Sequence, residues 1–266
     1  MLFDKIIYIN LKRRTDRLEH MTKLLNEYNL SQYSERLEAT DGRELNLDKI
    51  DNNIITSNGI DDAKNSKKVY TVLTAGAIGC IMSHRAIYQK IVDDNINSCL
   101  ILEDDVRFDA VNGDELMQKL NILENNITFD YDLLFLGFSP STLKFSHMNV
   151  NDYFYKLSRI YGLFGYIVTN KGAKKLLNMF PLSQQLDTEI SNHSKFINIY
   201  SVKKNLVLSE PSEINREFGT DIQIREKINP NKFYKKYLIF MILVIIIIIF
   251  ILYKLNCVQK ISKVIL

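Results

Sequence analysis

Cysteine is scarce in this 266-residue sequence: only Cys80, Cys99 and Cys257 occur. Their positions match no metal-ligand spacing and give no disulfide framework. Cys80 and Cys99 stand in apolar runs and read as buried, inert thiols. Proline (4) and glycine (10) are also few while hydrophobic residues make up 46%, which excludes a disordered or low-complexity chain. There is no long Lys/Arg run, and a net charge of +3 is too small to indicate nucleic-acid binding. With 4 histidines, the chain lacks the His/Asp-rich ligand set expected of a metal-dependent phosphohydrolase. Met1 to Lys5 has neither the basic start nor the apolar stretch of a signal peptide. No internal repeat is visible.

One long hydrophobic run is present. From Tyr237 to Tyr253 the sequence reads YLIFMILVIIIIIFILY, without a charge, Gly or Pro. As a helix this run spans roughly 25 Å, close to the ~30 Å core of a bilayer. Lys235, Lys236 and Lys254 bracket it, and a tyrosine marks each edge. A helix apolar on every face is expected to cross a membrane. The sequence therefore divides into a large N-terminal domain (1–224), a basic linker (225–236), a transmembrane helix (237–253) and a short tail (254–266). With no signal peptide ahead of it, the helix is expected to act as a tail anchor that leaves the domain on the cytosolic face.

Ahead of that segment, the apolar patterns alternate. FDKIIYINL (Phe3–Leu11) reads as a buried strand, and Leu18, Met21, Leu24 and Leu25 recur at helical spacing after it. A short strand at Arg36–Ala39 ends in the turn signal Thr40-Asp41-Gly42. Residues 43–68 are polar and weakly periodic, predicting a long surface excursion or lid. Thr74 can cap a helix to about Val92, and SCLIL (Ser98–Leu102) is a central strand. Helices at 115–123, 172–178 and 187–194, with strands at 131–137, 166–169, 197–202 and 206–208, complete an α/β layered fold with a mostly parallel sheet. Ligands of such sheets bind beyond the C-terminal strand ends, where Asn10–Arg17, Thr40–Gly42 and Glu103–Asp105 fall.

Three clusters carry chemistry. In LILEDDV (Leu100–Val106), three adjacent carboxylates at a buried strand end require a compensating positive charge. A hard divalent cation is the natural candidate, since it takes oxygen ligands and bridges to phosphates. Along an extended segment Glu103 and Asp105 point the same way and Asp104 the other. In Asn10-Leu11-Lys12-Arg13-Arg14-Thr15-Asp16-Arg17, a helix start beside guanidinium groups makes an anion site, while Asn10 and Asp16 can hydrogen-bond a base or ribose. In LTAGAIGCIMSHR, Gly76 and Gly79 permit close approach of a backbone or ligand, and Ser83 and His84 follow one turn later. Taken singly, each cluster also fits a solvated turn, a capped basic helix or a structural histidine.

Together, YINLKRRTDR, EATDG, LTAGAIGCIMSHRAIY, LILEDDV and YGLFGYIVTNKGAKKLL, in that order, resemble glycosyltransferase family 25 from about Lys5 to Leu208. The resemblance implies a GT-A-type Rossmann-like sheet with flanking helices and a UDP-sugar donor, usually UDP-galactose. It also implies Mn²⁺ (or Mg²⁺) and inversion at the anomeric carbon, with a glycan or glycoprotein hydroxyl as acceptor. Carried over by position, it assigns Glu103 and Asp105 to the metal and Asn10, Arg13, Asp16, Arg17, Asp41, Gly76, Gly79, Ser83 and Asp104 to the donor. His84 and Asp187 become the catalytic candidates, Asp187 through a proline–aspartate pattern that is looser here, with Gln184-Gln185-Leu186 intervening and no Trp following. The hydrophobic tail lies outside the shared pattern. The competing reading is a catalytically inactive, membrane-tethered sugar- or nucleotide-binding protein of the same fold.

Overall fold

The computed structural model describes residues 1–65, 73–139, 142–143 and 147–209. The apolar run at 237–253 lies outside them. Among the described residues, no helix is long and apolar enough to cross a membrane.

In chain order, the elements begin with β1 (Lys5–Asn10), α1 (Thr15–Glu27), β2 (Ser34–Glu38), α2 (Ser57–Asn65), α3 (Ala75–Asp93), β3 (Ser98–Glu103), β4 (Val106–Phe108) and α4 (Gly113–Asn125). They continue with β5 (Leu133–Gly137), β6 (His147–Asn149), β7 (Phe154–Leu157), β8 (Gly165–Thr169), α5 (Asn170–Leu177), α6 (Leu186–Asn192), β9 (Ile199–Val202) and β10 (Val207–Ser209).

The large sheet has the order β2-β1-β3-β8-β5-β9-β7-β6. Its pairings set β2, β1, β3, β5, β9 and β6 in one direction and β8 and β7 in the other. The mostly parallel sheet predicted from the strand–helix alternation is therefore present, with two reversed strands. Successive residues of a strand point to opposite faces, so the continuous apolar runs feed two cores. Ile7, Cys99, Ile101, Phe135, Tyr166 and Val168 pack on one side with α3, α5 and α6. Ile6, Tyr8, Leu100, Leu102, Leu134 and Ile167 pack on the other with α1 and α4. A strand buried on both faces has no use for alternating polarity, which is why these segments read as unbroken apolar runs.

The helix starts follow their caps. The Thr74 side chain accepts from the Ala77 amide at 3.1 Å, as its position before α3 predicted, and Asn112 and Thr169 cap α4 and α5 in the same way. Residues 43–65 run mostly over the surface as expected, but they are tethered inward. They contain α2, and Ile55 and Ile60 enter the core beside Leu73 and Leu182. Thr56 N donates to Leu182 O and Leu182 N to Ile54 O, both at 2.9 Å, which ties the segment to the chain just before α6. Residues 66–68 of that predicted excursion lie outside the described residues.

The loop after β2 lies against the first turns of α3, and the glycines there make the contact possible. A Cβ on Gly79 would stand 2.5 Å from Thr40 O and 2.9 Å from Gly42 N, and one on Gly42 would stand 2.3 Å from Ala75 O. Ser83, one turn on, accepts from Thr40 N at 2.9 Å and donates to Gly79 O at 2.7 Å. Gly79→Ala is therefore expected to push this loop away at a cost of about 1–3 kcal/mol, several degrees of melting temperature. An unchanged thermal melt would mean that the loop is not held by this contact.

Candidate active site

β1, β2 and β3 lie side by side and parallel, so their C-terminal ends open at one edge of the sheet. α1 covers one face there and α3 the other, leaving a cleft between the layers at the position where such sheets bind ligands. Leu11, Arg17, Asp41, Gly76, Cys80, Ser83, His84 and the Glu103–Asp105 turn line it. β10 pairs with β4 and brings Ser209 opposite Val106, so Ser209 also reaches the cleft.

The positive charge that the acidic turn requires comes from the chain itself. Arg17, in the first turn of α1, places one guanidinium nitrogen 2.5 Å from Asp104 Oδ1 and the other 3.0 Å from Asp105 Oδ2. Asn10 donates to Asp104 Oδ2 at 2.7 Å and to Arg14 O at 3.1 Å, and its own Oδ1 accepts from Arg36 Nε at 3.0 Å. Asp104, Asn10 and Arg17 are all buried. Burial pushes the Asp104 carboxyl above its usual range, with Arg17 and Asn10 opposing. The resemblance assigns these residues to the donor. The structure places them in an internal network in which both Asp104 oxygens are already engaged.

β3 ends at Glu103 and a turn follows, so the expected alternation does not hold: all three carboxylates border the cleft. Glu103 and Asp105 are half-buried there. Asp105 Oδ1 is buried with no hydrogen-bond partner among the described residues. A carboxylate oxygen in that state is costly, and a divalent cation or a ligand hydroxyl would relieve it. Asp105 and the half-buried Glu103 thus offer carboxylate oxygens of the kind a hard cation takes.

The remaining candidates separate. Arg13 and Asp41 pair at the rim, Nε to Oδ2 at 2.5 Å. Burial pushes the Asp41 carboxyl up, but Arg13 and the Arg43 amide outweigh it and hold the carboxyl below its usual range. Asp16 is exposed and accepts from Arg14 at 2.9 and 2.7 Å, which with backbone hydrogen bonds holds it at about 2. It is not among the cleft-lining residues. Gly76 and Ser83 line the cleft, Gly79 packs against the Thr40–Gly42 loop, and Ser83 also holds that loop through Thr40 N. Asp187 is not among the cleft-lining residues and accepts from Gly162 N at 3.3 Å and Thr188 N at 2.7 Å. Burial raises its carboxyl, and its charge reaches Cys80. Cys80 is half-buried in the cleft wall, unlike the fully buried thiol predicted for it.

His84 is wholly buried, with Nδ1 2.8 Å from the Tyr166 hydroxyl, itself 2.7 Å from the Tyr88 hydroxyl. Burial lowers its pKa to about 3. An imidazole that acidic is a weak base near neutrality, so this environment suits a neutral donor or ligand better than a general base. Tyr88 and Tyr166 were not singled out from sequence. Tyr88 sits four residues after His84 on the same helix face, a visible spacing, whereas Tyr166 arrives from β8 with no local signal.

The lowered pKa has a consequence for stability. The unfolded chain takes up a proton on His84 near pH 6.5 and the folded chain only near pH 3, so His84 stabilises the fold above 6.5 and loses that contribution as pH falls. Between pH 6.5 and 4.5 the loss should reach about 2–3 kcal/mol. Denaturant titrations of wild type and His84→Gln across this range should show a shallower fall in the variant. Parallel curves would rule out a buried neutral His84.

A family model described as "Glycosyltransferase family 25 (LPS biosynthesis protein)" matches residues 3–190, a range containing Asn10, Arg17, His84, the acidic turn and Asp187. Procollagen galactosyltransferase 2 of Homo sapiens is 30% identical over 192 residues, covering 71% of this chain and 30% of that protein. Procollagen galactosyltransferase 1-B of Xenopus laevis is 32% identical over 199 residues, covering 71% and 30%. The probable inactive glycosyltransferase 25 family member 3 of Bos taurus is 29% identical over 198 residues, covering 71% and 31%. The chain thus spans about 30% of the length of these curated relatives. With a matching family model over most of its length and an acidic turn facing a cleft at the parallel strand ends, the chain belongs to glycosyltransferase family 25.

Proposed function

We propose that this chain is an active hexosyltransferase with a GT-A-type sheet, moving a hexose, galactose first, from a UDP-sugar to a hydroxyl of a glycan or glycoprotein with inversion. The observation that carries the proposal is the unpartnered Asp105 Oδ1 beside Glu103 in the cleft. A buried carboxylate oxygen left without a partner is costly, and a cation in the cleft would offset that cost. Glu103 and Asp105 would hold Mn²⁺ or Mg²⁺, which supplies neutralisation of the diphosphate leaving group. Arg17 and Asn10 hold the turn in place from behind. At the rim, Arg13 pairs with Asp41, and its guanidinium is the proposed partner of a donor phosphate. Asp187 is the proposed base from the proline–aspartate pattern of the resemblance; it stands outside the cleft-lining residues, but its charge reaches Cys80 in the cleft wall, and burial raises its carboxyl. A panel of UDP-sugars with Mn²⁺, scored by UDP release with and without acceptor glycans, tests this reading. No release from any donor would favour the inactive binding protein.

The run at 237–253 is proposed to anchor the domain to a membrane, with the domain on the cytosolic face. The full-length chain should then stay with membranes through alkaline washing, and a chain ending at residue 228 should not. Release of the full-length chain by the wash would remove the anchor from the proposal.

A further inference from the structure

Cys80 and His84 are four residues apart on α3, so both project from one helix face a turn apart. That face borders the cleft, and Glu103 meets it from the end of β3. The Cys80 sulfur, a His84 ring nitrogen and a Glu103 carboxylate oxygen all lie within 4.8 Å of one another. Asp104 and Asp105 are not part of this group. His84 shows no exposed surface, and its Nε2 has no hydrogen-bond partner among the described residues. The other ring nitrogen is fixed by Tyr166, which is backed by Tyr88. Metal-ligating histidines are held in this way, one nitrogen oriented by a neighbouring polar group while the other faces the ion.

We propose that Cys80, His84 and Glu103 form a site for a zinc-class divalent cation, three protein ligands leaving a fourth position open to the cleft. The ligand types select the ion: thiolate and imidazole favour zinc-class metals, whereas Mg²⁺ and Mn²⁺ favour carboxylate and water oxygens. This site is separate from the hard-cation pair Glu103–Asp105, with which it shares one carboxylate, and it stands whether or not hexosyl transfer occurs. Cation binding would expel the Cys80 thiol proton to solvent.

Detergent-solubilised full-length protein, stripped with EDTA and titrated anaerobically with Co²⁺, should develop a sulfur-to-cobalt charge-transfer band at one equivalent, and Zn²⁺ should abolish it. Cys80→Ser, which changes a single atom, should lose the band. His84→Gln should weaken Zn²⁺ at least 10²-fold in competition with a chromogenic chelator, and Tyr166→Phe should weaken it roughly 10–100-fold. Asp105→Asn should keep both the band and the Zn²⁺ affinity while losing Mn²⁺-dependent UDP binding, which separates this site from the hard-cation pair. A band that survives in Cys80→Ser belongs to another thiol and overturns the proposal. So does wild-type Zn²⁺ affinity in His84→Gln, or the absence of any band in wild-type protein that still binds UDP with Mn²⁺.

Discussion

Asp105→Asn is expected to lower turnover with a UDP-sugar donor by roughly 10²-fold or more. The substitution preserves shape and removes one negative charge from the cleft. Asp105 offers two oxygens, of which Oδ2 pairs with Arg17 at 3.0 Å and Oδ1 is buried without a partner. An amide can still accept from Arg17 through its oxygen, so the fold should survive. Its remaining NH₂ group would then face the cleft, where it donates and cannot ligate a cation. The expected signature is a fall in turnover with a steeper requirement for Mn²⁺, at nearly unchanged thermal stability. Full turnover in the variant, or in wild type under EDTA, would falsify the assignment of Glu103 and Asp105 to a cation.

The parts of this architecture that could be read from sequence are those whose information is local. β1, β3 and β5 announce themselves because both faces are buried, and α1 and α3 because their apolar residues recur at helical spacing. Thr74 could be named as a cap from its position alone. The segment at 43–65 runs mostly over the surface as expected, but its tether was not legible because what holds it is distant in sequence: Leu182, beside α6, meets Ile54 and Thr56 through the backbone. β6 escaped notice because His147, Met148 and Asn149 are all exposed, so no apolar pattern marks it. The site shows the same division. That Asn10, the Thr40–Gly42 turn and the acidic turn fall at C-terminal strand ends was legible from the strand–helix alternation, and the resemblance added the α3 glycines. Which of them face a ligand and which face each other was not, because the Arg17–Asp104 and Thr40–Ser83 pairings depend on the crossing of α1 and α3 over the sheet.

Arg17 is where that distinction matters most, and its substitution gives the largest expected effect on stability. A nucleotide-binding arginine at the rim would leave the melting temperature of the ligand-free protein almost unchanged when replaced. The observed Arg17 is buried and spans Asp104 and Asp105, so Arg17→Met removes the cation from two carboxylates at once. Losing one partner of a buried ion pair costs about 3–5 kcal/mol, because the charge left behind stays desolvated. Asp104 would retain only Asn10, and its carboxyl, already raised by burial, would rise further. Adding Asp104→Asn to Arg17→Met should therefore recover part of the loss, since the second substitution removes the stranded charge while an amide oxygen can still accept from Asn10. Denaturant titration of the two single variants and the double variant gives the coupling between the positions directly. Strong coupling makes Arg17 the internal counter-charge that holds the acidic turn, and its effect on UDP affinity would then be indirect. A wild-type melt for Arg17→Met together with weakened UDP binding would instead mean that the guanidinium turns outward to the donor, and the network around Asp104 would have to be held by Asn10 alone.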